Sequence, residues 1–299
     1  MFRSAGFLLL LMSATLVFAA EKQAIPLWPN GAPGPHNTTD DEKDITTPSD
    51  RLVAGRPLMH LTNISTPILT LYRAADANNT GVGILVFPGG GYNILAYDLE
   101  GTEICEWLNS IGVNAILVKY RVPQPQNAAS RFKEPLEDAQ RAVGVVRHHA
   151  REWGMDSGRI GVLGFSAGGH LSAVLSNSFD KRSYDRIDEA DAASCRPDFV
   201  VLVYPAYLGG NGKVAPEVQP LEGHTPPTFM VQAEDDAKYI DGTLLYYRAL
   251  ADARVAAELH IYSAGGHGYG LRQTGDAVSA WPRLVESWLR DRKLITARS

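Results

Sequence analysis

The chain has 299 residues, of which 45% are hydrophobic and 20% are charged, and its formal net charge is −5. This length and composition are enough for one substantial hydrophobic core, so we expect a single globular domain. Lysine and arginine form no cluster that would follow a phosphate backbone or an anionic membrane surface. The composition therefore argues against nucleic acid as a partner and against stable membrane association.

Residues 1–20, MFRSAGFLLLLMSATLVFAA, are typical of a signal peptide. Arg3 precedes an apolar run over residues 7–18, and the small residues Ala19 and Ala20 offer a cleavage site. The run is shorter than the ~20 residues that span a bilayer, which makes a membrane anchor the weaker alternative. The sequence therefore predicts a secreted or periplasmic protein.

The next segment, residues 21–60, is rich in proline, glycine, asparagine and aspartate and has no hydrophobic periodicity. It is predicted to be an extended arm that wraps the folded domain formed by residues 61–299. In that domain short apolar runs alternate with amphipathic stretches. The predicted strands are 68–72, 82–87, 115–120, 160–165, 199–204, 228–233 and 258–262, and the predicted helices are 100–112, 135–154, 167–176, 241–254 and 278–293.

Most of the predicted strands are continuously apolar, as expected for strands that are buried on both faces. The alternation with helices predicts an α/β fold whose central sheet is mostly parallel and flanked by helices. The connection 205–227 follows the end of a strand, where ligands bind in open α/β sheets. It is a candidate rim of a substrate cleft, and it is too short to form a large lid domain.

The sequence GFSAG, residues 164–168, lies between a predicted strand and a predicted helix. In that context a G-x-S-x-G pattern indicates a sharp turn at which glycines avoid collisions and the serine hydroxyl is raised above the sheet. The helix N-terminus that follows favours a developing negative charge. Ser166 is therefore the predicted nucleophile, and an ordinary glycine-rich turn is the structural alternative.

A nucleophilic serine needs a base, and the base needs an acid that fixes its tautomer. His267 lies in a glycine-rich loop after the last predicted strand, and three acidic residues, Glu234, Asp235 and Asp236, follow the strand before it. We predict His267 as the base and Asp236 as the acid, with Asp235 as the alternative. The chain order of serine, aspartate and histidine is that of the α/β-hydrolase fold. Of the remaining histidines, His170 is predicted to support the serine turn, and His224 stays unassigned.

A hydrolase of this kind also needs hydrogen-bond donors for an oxyanion. The glycine triplet in VFPGGGYN, residues 86–93, follows an early strand at the place where such donors belong. The predicted donors are the N–H groups of Gly90, Gly91 and Ala167. No metal-ligand, phosphate-loop or dinucleotide pattern competes with this reading, so we expect no metal and no cofactor. Whether Cys105 and Cys195 pair or stay free is open at this point.

These motifs resemble those of bifunctional feruloyl and acetyl xylan esterase-like carbohydrate esterases. The resemblance covers nearly the whole mature chain and rests on IPLWPNGAPG, VFPGGGY, LEG, VKYRVP, PLEDAQRAV, GFSAGGHL, PDFVVLVYPAY, AEDDAKY and AELHIYSAGGHGYGL. It implies Ser166 as nucleophile, Asp236 as acid and His267 as base, with removal of acetyl or feruloyl groups from plant polysaccharides such as xylan. At positions 237–239 the sequence Ala-Lys-Tyr departs from the apolar stretch that is common in the family.

Tyrosines near the predicted mouth are candidates for stacking on a sugar or an aryl acid, with plain packing as the alternative. They are Tyr92, Tyr97, Tyr207 and Tyr269. The leading hypothesis is a secreted serine esterase acting on an acylated carbohydrate or a small ester. The alternatives are a serine peptidase of the prolyl-oligopeptidase type, a small-molecule carboxylesterase without carbohydrate specificity, and an inactive hydrolase fold that serves as a binding module.

Overall fold

The computed structural model describes residues 22–34, 40–125 and 130–296. Its main sheet has eight strands. In chain order they are β1 (Gln23–Pro26), β2 (Ile68–Tyr72), β3 (Gly83–Phe87), β4 (Asn114–Lys119), β5 (Ile160–Phe165), β6 (Val200–Val203), β7 (Thr228–Ala233) and β8 (Ala257–Tyr262). The predicted signal peptide, residues 1–20, lies outside the described residues.

The strands are arranged in the order β1-β2-β4-β3-β5-β6-β7-β8. Strand β2 is antiparallel to both of its neighbours, and every other pair is parallel. Parallel neighbours require crossover connections, which α-helices provide everywhere except between β6 and β7. The predicted fold class, an α/β fold with a mostly parallel sheet, is confirmed.

Five α-helices cover the two faces of this sheet: α1 (Glu103–Ser110), α2 (Lys133–His149), α3 (Ser166–Leu175), α4 (Ile240–Asp252) and α5 (Trp281–Asp291). Helices α1 and α5 contribute to one hydrophobic cluster, and α2, α3 and α4 contribute to the other. Strand β3 shows why its sequence is continuously apolar. Leu85 belongs to the second of these clusters, whereas Ile84 and Val86 belong to the first.

The predicted arm is partly a strand of the main sheet. Residues Gln23–Pro26 pair with β2 at the sheet edge, and Trp28 is buried and donates a hydrogen bond to Asp138 at 2.7 Å. Further along the arm, the two-residue strand Lys43–Asp44 pairs with His60–Thr62, which also pairs with Leu95–Ala96. The arm is therefore attached to the domain by backbone pairing as well as by one buried tryptophan.

Short elements complete the described residues. They are the hairpin strands Gly209–Gly210 and Lys213–Val214, the 3-10 helices Glu189–Ala192, Pro216–Val218 and Ala277–Ala280, and the π-helical turn Asp98–Thr102. The connection 205–227 thus contains one hairpin and one 3-10 turn. Cys105 and Cys195 are both buried and free. None of the helices in the described residues is long and apolar enough to cross a membrane.

Candidate active site

Ser166 lies at the junction of β5 and α3, in a backbone conformation that serine rarely adopts. Its φ is +50°, in the left-handed region. A methyl group on Gly164 would lie 2.2 Å from the carbonyl oxygen of Gly168, and one on Gly168 would lie 2.1 Å from that of Phe87. Both glycines are therefore required by the close approach of backbone segments, and the strained turn is fixed by its surroundings.

The side chains of Ser166, His267 and Asp236 form a continuous chain of hydrogen bonds. Nε2 of His267 lies 2.7 Å from Oγ of Ser166, and Nδ1 lies 2.7 Å from Oδ2 of Asp236. Asp236 is 6% exposed, and its carboxylate can only accept, so Nδ1 carries the proton in this arrangement. Nε2 is then free to accept the serine proton.

The neighbouring carboxylate, Asp235, has a different set of partners. It accepts hydrogen bonds from the backbone N–H groups of Gly265 at 3.2 Å and Gly266 at 2.8 Å. These glycines belong to the loop 263–270, which we call the histidine loop because it carries His267. The guanidinium of Arg51 also donates to the carbonyl oxygen of His267 at 2.9 Å. Asp235 thus contacts the loop backbone, whereas Asp236 contacts the imidazole.

The glycine triplet belongs to the loop 88–92, which we call the glycine loop. A methyl group on Gly89 would lie 2.8 Å from Cβ of Ser166, which places this loop directly beside the serine. Gly90 and Gly91 have φ values of +130° and +65°. In the described parts of the chain, the N–H groups of Gly90, Gly91 and Ala167 have no hydrogen-bond acceptor.

The sequence analysis gave no role to two buried polar groups beside the site, Glu100 and Tyr204. Oε2 of Glu100 accepts the N–H of Gly89 at 2.6 Å, and Oε1 accepts the hydroxyl of Tyr204 at 2.9 Å. Burial raises the pKa of Glu100, although the Gly89 N–H, the nearby His267 and the Tyr204 hydroxyl each act in the opposite direction. The only sequence signal for Glu100 was its place in the LEG motif.

The structure corrects the prediction that four tyrosines line the mouth. Tyr92 is 0% exposed and Tyr269 is 2% exposed, so neither ring presents a surface to a ligand. Tyr92 is directed inwards from its positive-φ position in the glycine loop, and Tyr269 packs edge-on against Tyr204 with centroids 4.4 Å apart. Burial raises the pKa of both phenols well above the ordinary value.

The other two tyrosines are partly exposed but have different surroundings. Tyr97 packs against the cluster that contains α1, and its backbone N–H donates to the carbonyl oxygen of Met59 at 2.9 Å. Tyr207 is next to the glycine loop, since its hydroxyl would lie 3.6 Å from a methyl group on Gly91. Tyr207 is therefore the one of the four that lies at the candidate site.

The two remaining histidines named from the sequence also have partners. His170 is buried in α3, where Nδ1 lies 2.8 Å from the Tyr92 hydroxyl and Nε2 lies 3.4 Å from Glu217. Burial lowers the pKa of His170. His224 is exposed and lies 3.9 Å from Asp180. Among the described residues, no group of three histidine, cysteine or acidic side chains is arranged to hold a metal ion.

Comparisons with known proteins agree with the observed topology. A family model described as the alpha/beta hydrolase fold matches residues 84–211. The solved acetyl ester-xyloside bifunctional hydrolase from Caldicellulosiruptor lactoaceticus is 32% identical, with a TM-score of 0.70, and the match covers 95% of this chain and 100% of that chain. The chain belongs to the α/β-hydrolase family.

Two curated relatives extend the comparison. An acetylxylan esterase from Xylanibacter ruminicola is 30% identical over 65% of this chain and 42% of its own length. An endo-1,4-beta-xylanase B from Butyrivibrio fibrisolvens is 29% identical over 62% of this chain and 32% of its own length. The chain thus spans less than half the length of these relatives.

Proposed function

We propose that this protein is a serine carboxylic-ester hydrolase with Ser166 as nucleophile, His267 as general base and Asp236 as its acid partner. The observation that carries the proposal is the chain of two 2.7 Å hydrogen bonds that joins these three side chains. It lies at the carboxyl ends of parallel strands, where α/β folds bind ligands. The strained serine turn supports the same reading, because strain at such a turn exposes Oγ to an incoming acyl group.

The geometry supports a two-step acyl transfer. In the first step, Oγ of Ser166 attacks the ester carbonyl carbon while Nε2 of His267 takes the serine proton. Asp236 stabilises the imidazolium, and the N–H groups of Gly90, Gly91 and Ala167 donate to the carbonyl oxygen as it becomes negative. The imidazolium then gives its proton to the departing alcohol. In the second step, water activated by His267 hydrolyses the acyl-serine and releases the acid.

We assign the substrate to acetyl, or feruloyl, esters of plant polysaccharides such as xylan. Support comes from the motifs shared with feruloyl and acetyl xylan esterase-like proteins and from the names of the similar proteins, an acetylxylan esterase and an acetyl ester-xyloside hydrolase. The chain matches only part of the length of the curated relatives, so we assign their substrate to this protein as a proposal. A carboxylesterase for small esters is the second candidate.

Release of acetate and ferulate tests the substrate. Mature protein is incubated with acetylated xylan, methyl ferulate and p-nitrophenyl acetate, with Ser166→Ala as the blank. We expect acetate from acetylated xylan well above the blank. Hydrolysis of p-nitrophenyl acetate alone would support the small-ester candidate. No serine-dependent release from any ester would contradict the proposed function and favour the peptidase or binding-module alternatives.

Export through the signal peptide of residues 1–20 is part of the same proposal. A polysaccharide substrate lies outside the cell, so an enzyme that acts on it has to be exported. The test is the N-terminal sequence of the mature protein after expression in a secreting host. A new N-terminus after Ala19 or Ala20 in the exported fraction is expected, and an intact Met1 in the cytoplasm would contradict export.

A further inference from the structure

We infer that Glu100 is a positioning residue that holds the glycine loop and the histidine loop in one fixed arrangement, an inference that rests on the proposed function. Glu100 is 4% exposed, and it takes no direct part in any step of the proposed reaction. Its two carboxyl oxygens have separate partners. Oε2 accepts the N–H of Gly89 at 2.6 Å, and Oε1 accepts the hydroxyl of Tyr204 at 2.9 Å.

Tyr204 extends this contact to the histidine loop. Its hydroxyl accepts the N–H of Gly270 at 3.1 Å, and its ring centroid lies 5.0 Å from that of His267. The backbone at Gly270 is also tightly enclosed, since a methyl group there would lie 2.5 Å from Cδ1 of Leu99. One buried carboxyl group therefore connects the loop that follows β3 with the loop that follows β8.

The contact also decides which glycine N–H groups can act on a substrate. Glu100 occupies the N–H of Gly89, whereas those of Gly90 and Gly91 have no acceptor in the described parts of the chain. If Glu100 were lost, the Gly89 N–H would be buried without a partner, and the loop would have to move to satisfy it. Donors that stabilise a transition state depend on position, so a shift of this loop would slow turnover.

The matched test is Glu100→Gln against Glu137→Gln. Both glutamates are buried and both accept hydrogen bonds, but Glu137 binds Arg121 in another part of the molecule. An amide has one acceptor oxygen, so Glu100→Gln leaves either Gly89 or Tyr204 without an acceptor. On p-nitrophenyl acetate we expect kcat to fall about 10- to 100-fold while KM stays within about threefold, because oxyanion donors act in the transition state.

Glu137→Gln is expected to change kcat by less than about twofold. An unchanged kcat in a folded Glu100→Gln variant would overturn the inference, as would a pure rise in KM. Tyr204→Phe provides a second route if Glu100→Gln does not fold. It should lower kcat through the histidine loop, and in the double variant the two effects should be clearly less than additive, because both remove the same bridge. Full additivity would also overturn the inference.

The failure of this inference differs from that of the proposed function. If the wild-type protein hydrolyses no ester, the proposed function fails. The bridge is then tested by thermal melting of the two single variants and the double variant. Coupled losses of stability between Glu100 and Tyr204 would support the bridge between the loops, whereas independent losses would overturn it.

The geometry also points to a subsite for a carboxylate group, formed by Arg131 and Lys238, on the alcohol side of the proposed ester. The guanidinium carbon of Arg131 lies 3.7 Å from the centroid of the Tyr207 ring. Among the described residues, the Arg131 side chain contacts the rings of Tyr207 and Tyr92, and it makes no hydrogen bond or ion pair within 4 Å. A guanidinium that is fixed by stacking and keeps its donors free is suited to bind a planar anion.

The position of this subsite follows from two tyrosines. Tyr207 is next to Gly91, and the ring of Tyr239 lies 4.9 Å from that of His267 and 5.5 Å from that of Tyr207. Nζ of Lys238 lies 5.0 Å from the Tyr239 centroid, over the face of that ring. Since His267 returns its proton to the leaving alcohol, groups around its ring flank the alcohol part of the substrate.

Two cations at this position contrast with the net charge of −5 for the whole chain. The chemical class they fit is an ester of an acidic carbohydrate, such as acetylated xylan with uronic acid branches. Tyr207 is stacked on Tyr92 and covered by Arg131, so it serves as a platform for the guanidinium and not as a stacking face for a sugar. This inference deepens the proposed function and rests on it.

The test compares one substrate in two forms, acetylated glucuronoxylan oligosaccharides before and after reduction of their uronic carboxyl groups. We expect wild-type kcat/KM to be about tenfold higher for the acidic form, because one charge-assisted hydrogen bond contributes about that much. In Arg131→Met/Lys238→Met the acidic and the reduced form should react equally. Arg248→Met, which changes an exposed arginine paired with Asp252, should keep the preference.

Equal wild-type rates on the two forms would overturn the subsite, as would a preference that survives in the double variant. If the protein hydrolyses p-nitrophenyl acetate but neither oligosaccharide, the proposed polysaccharide substrate is wrong. The subsite is then tested by competitive inhibition. Glucuronate should then inhibit p-nitrophenyl acetate hydrolysis more strongly than glucose does in the wild type, and equally weakly in the double variant. Equal inhibition in the wild type would overturn the subsite.

Discussion

The two halves of the candidate site are built in different ways. The serine half is a local structure, a buried strand that turns into a buried helix, with Gly164 and Gly168 in contact with neighbouring backbone. The histidine half is a partly exposed loop, in which the His267 side chain is 30% exposed. Side chains from distant parts of the sequence hold this loop, among them Asp235 and Arg51.

This difference shows which part of the sequence determines the structure of each half. Gly164 packs against Gly168 within one run of five residues, so the GFSAG pattern is enough to indicate the serine turn, although Gly168 also packs against Phe87 of β3. The histidine loop depends on hydrogen bonds between residues up to 216 positions apart, such as Arg51 and His267. Substitutions in the serine half should therefore affect the chemical step or the stability of the fold. Substitutions in the histidine half should affect the orientation of the His267 side chain.

The largest effect is expected from removal of the serine hydroxyl. Ser166→Ala should lower kcat by about 10⁶-fold, because it removes the hydroxyl that we propose as the nucleophile. Its melting temperature should stay close to that of the wild type. Steady-state kinetics and thermal melting measure both quantities. Ser176→Ala, a change at another buried serine in the same part of the chain, should leave kcat unchanged, and an equal loss there would contradict the assignment.

The two neighbouring aspartates should differ sharply. Asp236→Asn should lower kcat by about 10⁴-fold, since an amide cannot hold the imidazole in the required tautomer. Asp235→Asn keeps one acceptor for the backbone of the histidine loop and should cost only about tenfold. The ratio of the two kcat values is the measurement. A larger loss in Asp235→Asn would reverse the roles that we propose for these residues.

A methyl group added in the serine turn should mainly lower the stability of the fold. Gly168→Ala would place Cβ 2.1 Å from the carbonyl oxygen of Phe87, so β3 and α3 would have to separate. We expect a loss of about 1–3 kcal/mol or more in the free energy of unfolding, measured by urea denaturation. Gly210→Ala is the matched control, because nothing lies within 4 Å of the added methyl group. Similar stability of the two variants would mean that the turn tolerates repacking.

The smallest effect is expected outside both halves. Arg141 hydrogen-bonds to Asp188 and lowers the pKa of that carboxyl. Because the pKa is lower in the folded state, the stabilisation is fully present above the unfolded pKa of about 3.9 and is lost as pH falls through the lower, folded-state pKa. Wild type should therefore exceed Asp188→Asn slightly in unfolding free energy at pH 7, and the difference should shrink as the pH falls below about 4. A constant difference, or any change in kcat, would contradict this.

Much of the fold was predictable because its strands are continuously apolar. Strands β2, β5 and β7 have the predicted bounds, and the other predicted strands differ from the observed ones by a residue at one or both ends. Strand β1 was missed. It is mostly exposed and pairs with β2 at the sheet edge, so neither apolar burial nor alternation marked it.

The surroundings of the site were harder to predict. The sequence suggested that Tyr92 and Tyr269 face a ligand, but a tyrosine next to a glycine-rich loop can point to either side of the backbone. The positive φ of Tyr92 directs its ring towards His170 in the core. Glu100 received no role from the sequence, because only the fold brings Gly89 and Tyr204 to it.

The sequence by itself determined the fold class, the place of the serine turn and the order of the three proposed catalytic residues, because each depends on local pattern and short-range sterics. Only the tertiary structure decided that Asp236 contacts the imidazole while Asp235 contacts the loop backbone. The two carboxylates are adjacent and chemically identical. Their partners come from a loop that follows the next strand, and only strand pairing and loop packing bring that loop within hydrogen-bond distance.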